Sequence, residues 1–383
     1  MNSKLVNFNP DKILLSEKRL KSAYNRRKGE EVPVVEPNVF VPQYSPKETF
    51  EDFDKMLSNA VGWANNLSLT DNDLTPVILC YCTVVMIPNA FDCDIIFQNG
   101  QSPWVKHRIT DINEVYALRP KPPQQTPVIK RQLDWIDYAQ QKLGTDIPFW
   151  TPDIQTPFSV AAQVVEPQEL LMACITNPKA VHYLCQIITD YTIEVWNKFL
   201  AKMEHPGFPG ANFPCISDNI GLCIADDTPL IMLSPDMYKE FALPYNCQIG
   251  KTFGGVHIHC CGNYNHNVDN LLEITNIKSI QLHAGPGEFA LPQTSIEDCP
   301  FNRARKKIAY FVDVNNVSRG NKYLNRNQDF FIEYVLPRLC TSELTGCILQ
   351  GYGCGDEASL EQINDSLKWT RNQLFEYARF LEK

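Results

Sequence analysis

The sequence predicts an α/β protein: a (β/α)8 TIM barrel over residues 76–383, preceded by a helical and extended N-terminal extension over residues 1–75. Three observations lead there. From residue 76 onward, apolar runs of strand length alternate with amphipathic stretches of helical period, the pattern of a parallel sheet with helices outside it. Several of the apolar runs end in residues that can do chemistry: Asp153, Asp226 and Asp227, His259 and Cys261, His283, Asp313 and Cys354. A barrel displays such residues around its mouth, at the C-terminal ends of many strands, whereas a doubly wound sheet gathers them at one switch point. Finally, neither G-x-G-x-x-G nor G-x-x-x-x-G-K-[ST] occurs, so the phosphate loop usual in doubly wound nucleotide binders is missing.

Taken in order, residues 1–75 are polar and mixed, with a basic helical stretch at 18–28 and a proline-rich extended stretch at 31–42. Buried strands are expected at 77–86, 147–154, 220–225, 256–261, 279–283, 307–312 and 347–349. The clearest helix covers 177–203. Asn177 is its N-cap, Pro178 its first residue, and Val181, Leu184, Ile188, Val195 and Phe199 recur on one face. Ser234-Pro235 opens another helix, with Met237, Phe241 and Tyr245 along one side, and residues 360–380 close the chain as a last helix.

Composition bounds the function. With 44% hydrophobic and 21% charged residues, 383 residues suffice for a sizeable core. A net charge of -9 argues against nucleic acid, whose binders concentrate Lys and Arg. No run approaches the roughly 18 apolar residues of a membrane span. The N-terminus is polar and lacks the apolar centre of a signal peptide. The 14 cysteines therefore read as reduced thiols, most of them small buried hydrophobes, in a reducing and anaerobic cytoplasm.

The run GGVHIHCCGN at 254–263 is the most informative stretch. In a strand, successive side chains alternate faces, so His259 and Cys261 point one way and Cys260 the other. An H-x-C pair with a remote cysteine, Cys354 in GYGCGDE, makes a three-ligand set that leaves a tetrahedral zinc one open position. The alternative is two buried thiols and a hydrogen-bonded core histidine. His257 shares the face of His259 one layer deeper and reads as a core residue. Asp226 and Asp227 end a strand in GLCIADDTPL, as a base, as orienters of a ligand, or as a helix cap. Asp153 in FWTPDIQTPF is a comparable substrate-contact candidate. His283 and Glu288 in QLHAGPGEF follow the next strand and suit a fourth ligand or a substrate contact. Phe149, Trp150, Phe158 and Tyr352 flank strand ends as an apolar lining or as core, and Cys80 with Cys82 reads as core packing.

DIPFWTPDIQTPF, TNPKAVHYLCQIITD, ADDTPLIMLSPDMYKEFALPY, HIHCCGN and GYGCGDEASLEQI follow one another in order. Together they resemble the uroporphyrinogen decarboxylase superfamily, in its branch of cobalamin-dependent methyltransferases, over roughly residues 85–380. The resemblance implies a (β/α)8 barrel and a catalytic Zn2+ held by His259, Cys261 and Cys354. It also implies methyl transfer between a small molecule and the cobalt of a separate corrinoid protein docked over the barrel mouth. Cobalamin is expected in trans, because no Asp-x-His-x-x-Gly signature occurs here. The N-terminal arginine motif of true decarboxylases is also missing. Asp226, Asp227 and Glu288 are the expected catalytic carboxylates; Asp153, His283, Phe149 and Tyr352 are the expected substrate contacts. Demethylation of a methoxy compound is the favoured direction. Transfer from a methyl-corrinoid to a thiol and a decarboxylase activity are the alternatives, and a homodimer is compatible with the sequence.

Overall fold

The computed structural model describes residues 5–7, 9–25, 32–36, 39–79, 84–98, 101–150, 152–203, 222–283, 295, 298–313, 331–340, 347–350 and 359–381. Among them, ten strands occur in chain order: β1 (Val34–Val35), β2 (Ile78–Leu79), β3 (Ile95–Ile96), β4 (Trp104–Val105), β5 (Phe149–Trp150), β6 (Leu222–Ala225), β7 (Val256–His259), β8 (Ile277–His283), β9 (Ala309–Asp313) and β10 (Cys347–Gln350). Six of them form one sheet in the order β1-β10-β9-β8-β7-β6, every neighbouring pair parallel. β2 and β5 pair in parallel as a second sheet, and β3 with β4 is a short antiparallel hairpin.

The strands are short apolar runs because both faces are covered. All four residues of β6 are buried, as are those of β7 despite its two histidines. Parallel neighbours need long crossovers, and helices supply them. Helices Pro157–Val164, Pro167–Thr176 and Pro178–Lys202 lie between β5 and β6; Asp227–Met232, Pro235–Phe241 and Leu243–Thr252 lie between β6 and β7. The helix expected at 177–203 forms as anticipated: Asn177 caps it by accepting from the Ala180 N–H, and Val181, Leu184, Ile188, Val195 and Phe199 are all buried. Ser234 caps Pro235–Phe241 in the same way, but that helix stops at Phe241 and a second one carries Tyr245.

The two parallel sheets approach each other at both seams. After β5, the Thr156 N–H donates to Ala225 O and the Ala225 N–H to Ile154 O, each at 2.9 Å, so residues 154–156 run beside the end of β6. Ahead of β2, the Asp73 N–H donates to Val34 O of β1 at 3.1 Å. This is a fold of TIM-barrel type in mixed helices and parallel strands, although among the described residues the strand pairs do not close a full ring of eight.

The N-terminal segment is tied in by β1 and by one carboxylate. Asp73 accepts from the Val34 N–H at 2.8 Å, from Arg19 at 3.0 Å and from Arg371 of the last helix, Leu360–Leu381, at 3.0 Å. The Asp73 side chain is buried, so these bonds stay largely unscreened. No described helix is long and apolar enough to cross a membrane.

Candidate metal centre at the strand ends

Ladder register brings the expected ligands together. Ala225, the last residue of β6, sits opposite His259, the last residue of β7. The next residues along each chain, Asp226-Asp227 and Cys260-Cys261, therefore leave the sheet side by side. His259 Nε2 lies 3.0 Å from Cys261 Sγ. The Cys261 N–H donates to Asp227 Oδ1 at 2.6 Å. One donor atom each from Asp227, His259 and Cys261 falls within 4.8 Å of the others. Two zinc bonds of about 2.0–2.3 Å span little more than about 4.5 Å, so this triad of imidazole, thiolate and carboxylate fits zinc.

The adjacent cysteines separate in the sense that alternation predicts, although both follow the end of β7 at His259. Cys261 is exposed beside His259, whereas Cys260 is fully buried and its thiol is pushed well above the usual range by loss of solvent. His257 is the deeper core residue: its Nδ1 lies 2.6 Å from Ser279 Oγ, and burial, with His259 nearby, lowers its pKa to about 3, which keeps the ring neutral. His259 Nδ1 is hydrogen-bonded to Gln281 Oε1 on β8. Gly262 follows Cys261 where a Cβ would come within 2.4 Å of Ile231 Cδ1, so Ile231 lies directly over the ligand loop.

Asp226 and Asp227, equivalent in the sequence, part company. Asp226 occupies the N-cap position of Asp227–Met232 without capping it. Its fully buried carboxylate accepts instead from the hydroxyls of Thr156 and Tyr238 (the latter at 2.5 Å) and from Asn246 Nδ2 at 3.1 Å. Burial raises its pKa to about 6 against the pull of those three donors. The Asp226 side chain thus clamps the end of β6 to helices before and after it, and of the two carboxylates it is Asp227 that bonds the ligand loop. None of Thr156, Tyr238, Asn246 and Gln281 was singled out from the sequence. Gln281 was within reach: Ser279, Gln281 and His283 share one strand face, as do His257, His259 and Cys261.

Asp153 is half-buried as a residue, yet its Oδ1 is sealed from solvent with no hydrogen-bond partner among the described residues. Burial, and then the negative charge of Asp227, raise its pKa to about 7, while the Ile154 N–H opposes them. Phe149 packs edge-on against Trp135 at 6.2 Å, within the layer between sheet and helices, and Trp150 stacks on Trp63. His283 ends β8 opposite Asp313, but its side chain lies outside the described residues. So do Cys354, Glu288, Tyr352, Cys80 and Cys82.

Comparison with known proteins adds to this geometry. A family model described as uroporphyrinogen decarboxylase (URO-D) matches residues 18–286. Curated relatives include a uroporphyrinogen decarboxylase of Xanthomonas campestris pv. campestris (strain B100), 21% identical over 179 residues, 45% of each chain. Another, from Xanthomonas oryzae pv. oryzae (strain PXO99A), is 22% identical over 248 residues, 62% of this chain and 64% of that one. The chain thus spans 45% to 64% of the length of these relatives. Among solved structures, a methyltransferase from Methanosarcina mazei superposes with a TM-score of 0.65 at 16% identity, covering 94% of this chain and 99% of that one. At such identity the likeness is one of fold.

Proposed function

The chain belongs to the uroporphyrinogen decarboxylase family, and from that premise we propose that it is a zinc-dependent methyltransferase. It would move a methyl group between a small methylated substrate, a methoxy compound in the favoured direction, and the cobalt of a separate corrinoid protein. Residues 76–383 would form the catalytic body, with residues 1–75 packed against it. The observation that carries this reading is the 3.0 Å approach of His259 Nε2 to Cys261 Sγ beside Asp227 at the strand ends. A decarboxylase does not require a thiolate–imidazole pair there.

His259, Cys261 and Cys354 would hold the zinc. A site of one neutral imidazole and two thiolates supplies a mild Lewis acid, suited to a bound ether oxygen or thiolate. The chain's own residues do the rest. Asp227 holds the Cys261 loop through the backbone N–H, which fixes where the thiolate points. Asp226, gripped by Thr156, Tyr238 and Asn246, keeps the β6 end rigid beneath it. Asp153, close enough to Asp227 to feel its charge, is a candidate substrate contact, and Glu288, His283 and Tyr352 are further candidates for acid–base work and substrate contact. Loops following the strands would form the face met by the corrinoid protein, because cobalt must come within roughly 3–3.5 Å of the methyl carbon.

The test is methylation of free cob(I)alamin by methoxyaromatics, methylamines and methylthiols, with His259→Ala and Cys354→Ser alongside. Loss of transfer in both variants is expected. Activity surviving both, or a metal-free active protein that decarboxylates a carboxylated ring, would refute the proposal.

A further inference from the structure

We infer that Gln281 is the positioning residue of this centre: its side-chain carbonyl accepts from Nδ1–H of His259 and so turns the Nε2 lone pair toward the metal site. The inference rests on the zinc reading proposed above and adds what aligns the ligand. Register supports it independently of the side chains. β7 and β8 pair His257 with Ser279 and Ile258 with Ile280, so one further step sets Gln281 opposite His259. Both imidazoles engage β8 through Nδ1, His257 with Ser279 and His259 with Gln281.

The two contacts differ in kind. A serine hydroxyl donates or accepts, so Ser279 leaves the tautomer of His257 undetermined. An amide oxygen only accepts, so the hydrogen shared between His259 and Gln281 Oε1 belongs to Nδ1. That leaves Nε2 as the basic nitrogen, and Nε2 is the atom facing Cys261 Sγ. A neutral amide also suits the place. A carboxylate would orient the ring equally well but would add negative charge to a site that already holds Asp227 and Asp153.

Protein carrying 15N-labelled histidine, stripped of metal, is examined by long-range proton–nitrogen NMR, and zinc affinity is measured by chelator competition. The wild type is expected to show His259 with hydrogen on Nδ1. Gln281→Met should lose that preference and weaken zinc binding by about 10–100-fold. Gln281→Glu, which keeps the acceptor, should retain the tautomer and most of the affinity. A wild type with hydrogen on Nε2, or a Gln281→Met protein that binds zinc like the wild type, overturns the positioning role while leaving the zinc reading intact. A wild type that takes up no zinc overturns both. The wild-type tautomer is readable even if Gln281→Met fails to fold.

Discussion

Replacing Asp153 with Asn removes a carboxyl group whose pKa the fold raises from 3.8 to about 7. A displacement of about three pH units corresponds to about 4 kcal/mol, and partial exposure of the residue screens this to about 2 kcal/mol. The sign follows from which state holds the proton. The folded protein binds it more tightly than the unfolded chain, so this group favours folding below about pH 4, and the benefit is lost as pH rises to about 7. Asn carries no charge at any of these values. Metal-free wild type and Asp153→Asn should therefore have similar stability at acid pH, with the variant gaining steadily to about 2 kcal/mol at pH 8. Asp226 titrates in both proteins and cancels in the difference. Urea denaturation in chelator at pH 5, 6, 7 and 8 measures it. A difference constant across that range, or a variant that loses ground as pH rises, refutes the account of Asp153 as a sealed, repelled carboxyl group.

Cys261→Ser should abolish zinc uptake and Cys260→Ser leave it near wild type, as read by elemental analysis, because only Cys261 faces His259. In the metal-free protein, Cys261 should be alkylated by iodoacetamide well before buried Cys260, and zinc should slow that reaction, as followed by mass spectrometry. Tyr238→Phe removes a hydroxyl donor from the buried Asp226 carboxylate and should cost about 1.5–3 kcal/mol in thermal or urea unfolding. Gly250→Ala should cost about 1–3 kcal/mol, since its Cβ would come within 2.1 Å of the Thr275 carbonyl oxygen, a backbone atom with little room to yield.

Much of the site was legible because the relevant rule is local. Strand alternation is enough to set His259 beside Cys261 and turn Cys260 away, and the apolar run before them places all three at a strand end. The helix at 177–203 was readable for the same reason: its cap, its first proline and its buried stripe lie within one segment. Asp226 and Asp227 were not separable from sequence, because what divides them is the arrival of Thr156 from before β6 and of Tyr238 and Asn246 from later helices. The strand expected at 77–86 does not reach its expected end: Val84 and Val85 lie in a turn and Met86 opens the helix Met86–Ala90. Gln281 escaped notice because an amide carries no chemistry alone; its meaning comes from the histidine across the ladder.

β1 lies near the start of the chain and pairs with β10, near its end, with Val34 opposite Leu349. The sheet edge formed early in synthesis therefore waits until β2 to β9 and the helices between them have been made and β10 follows. Until then, β9 presents an unpaired edge, and Asp73 lacks the guanidinium of Arg371. Closing so long a loop is slow but adds little thermodynamic penalty over a shorter one, since the entropy grows only with the logarithm of length. The nascent protein should accordingly depend on chaperone protection until β10 is made, and chains truncated before residue 347 should aggregate instead of persisting as a smaller folded unit.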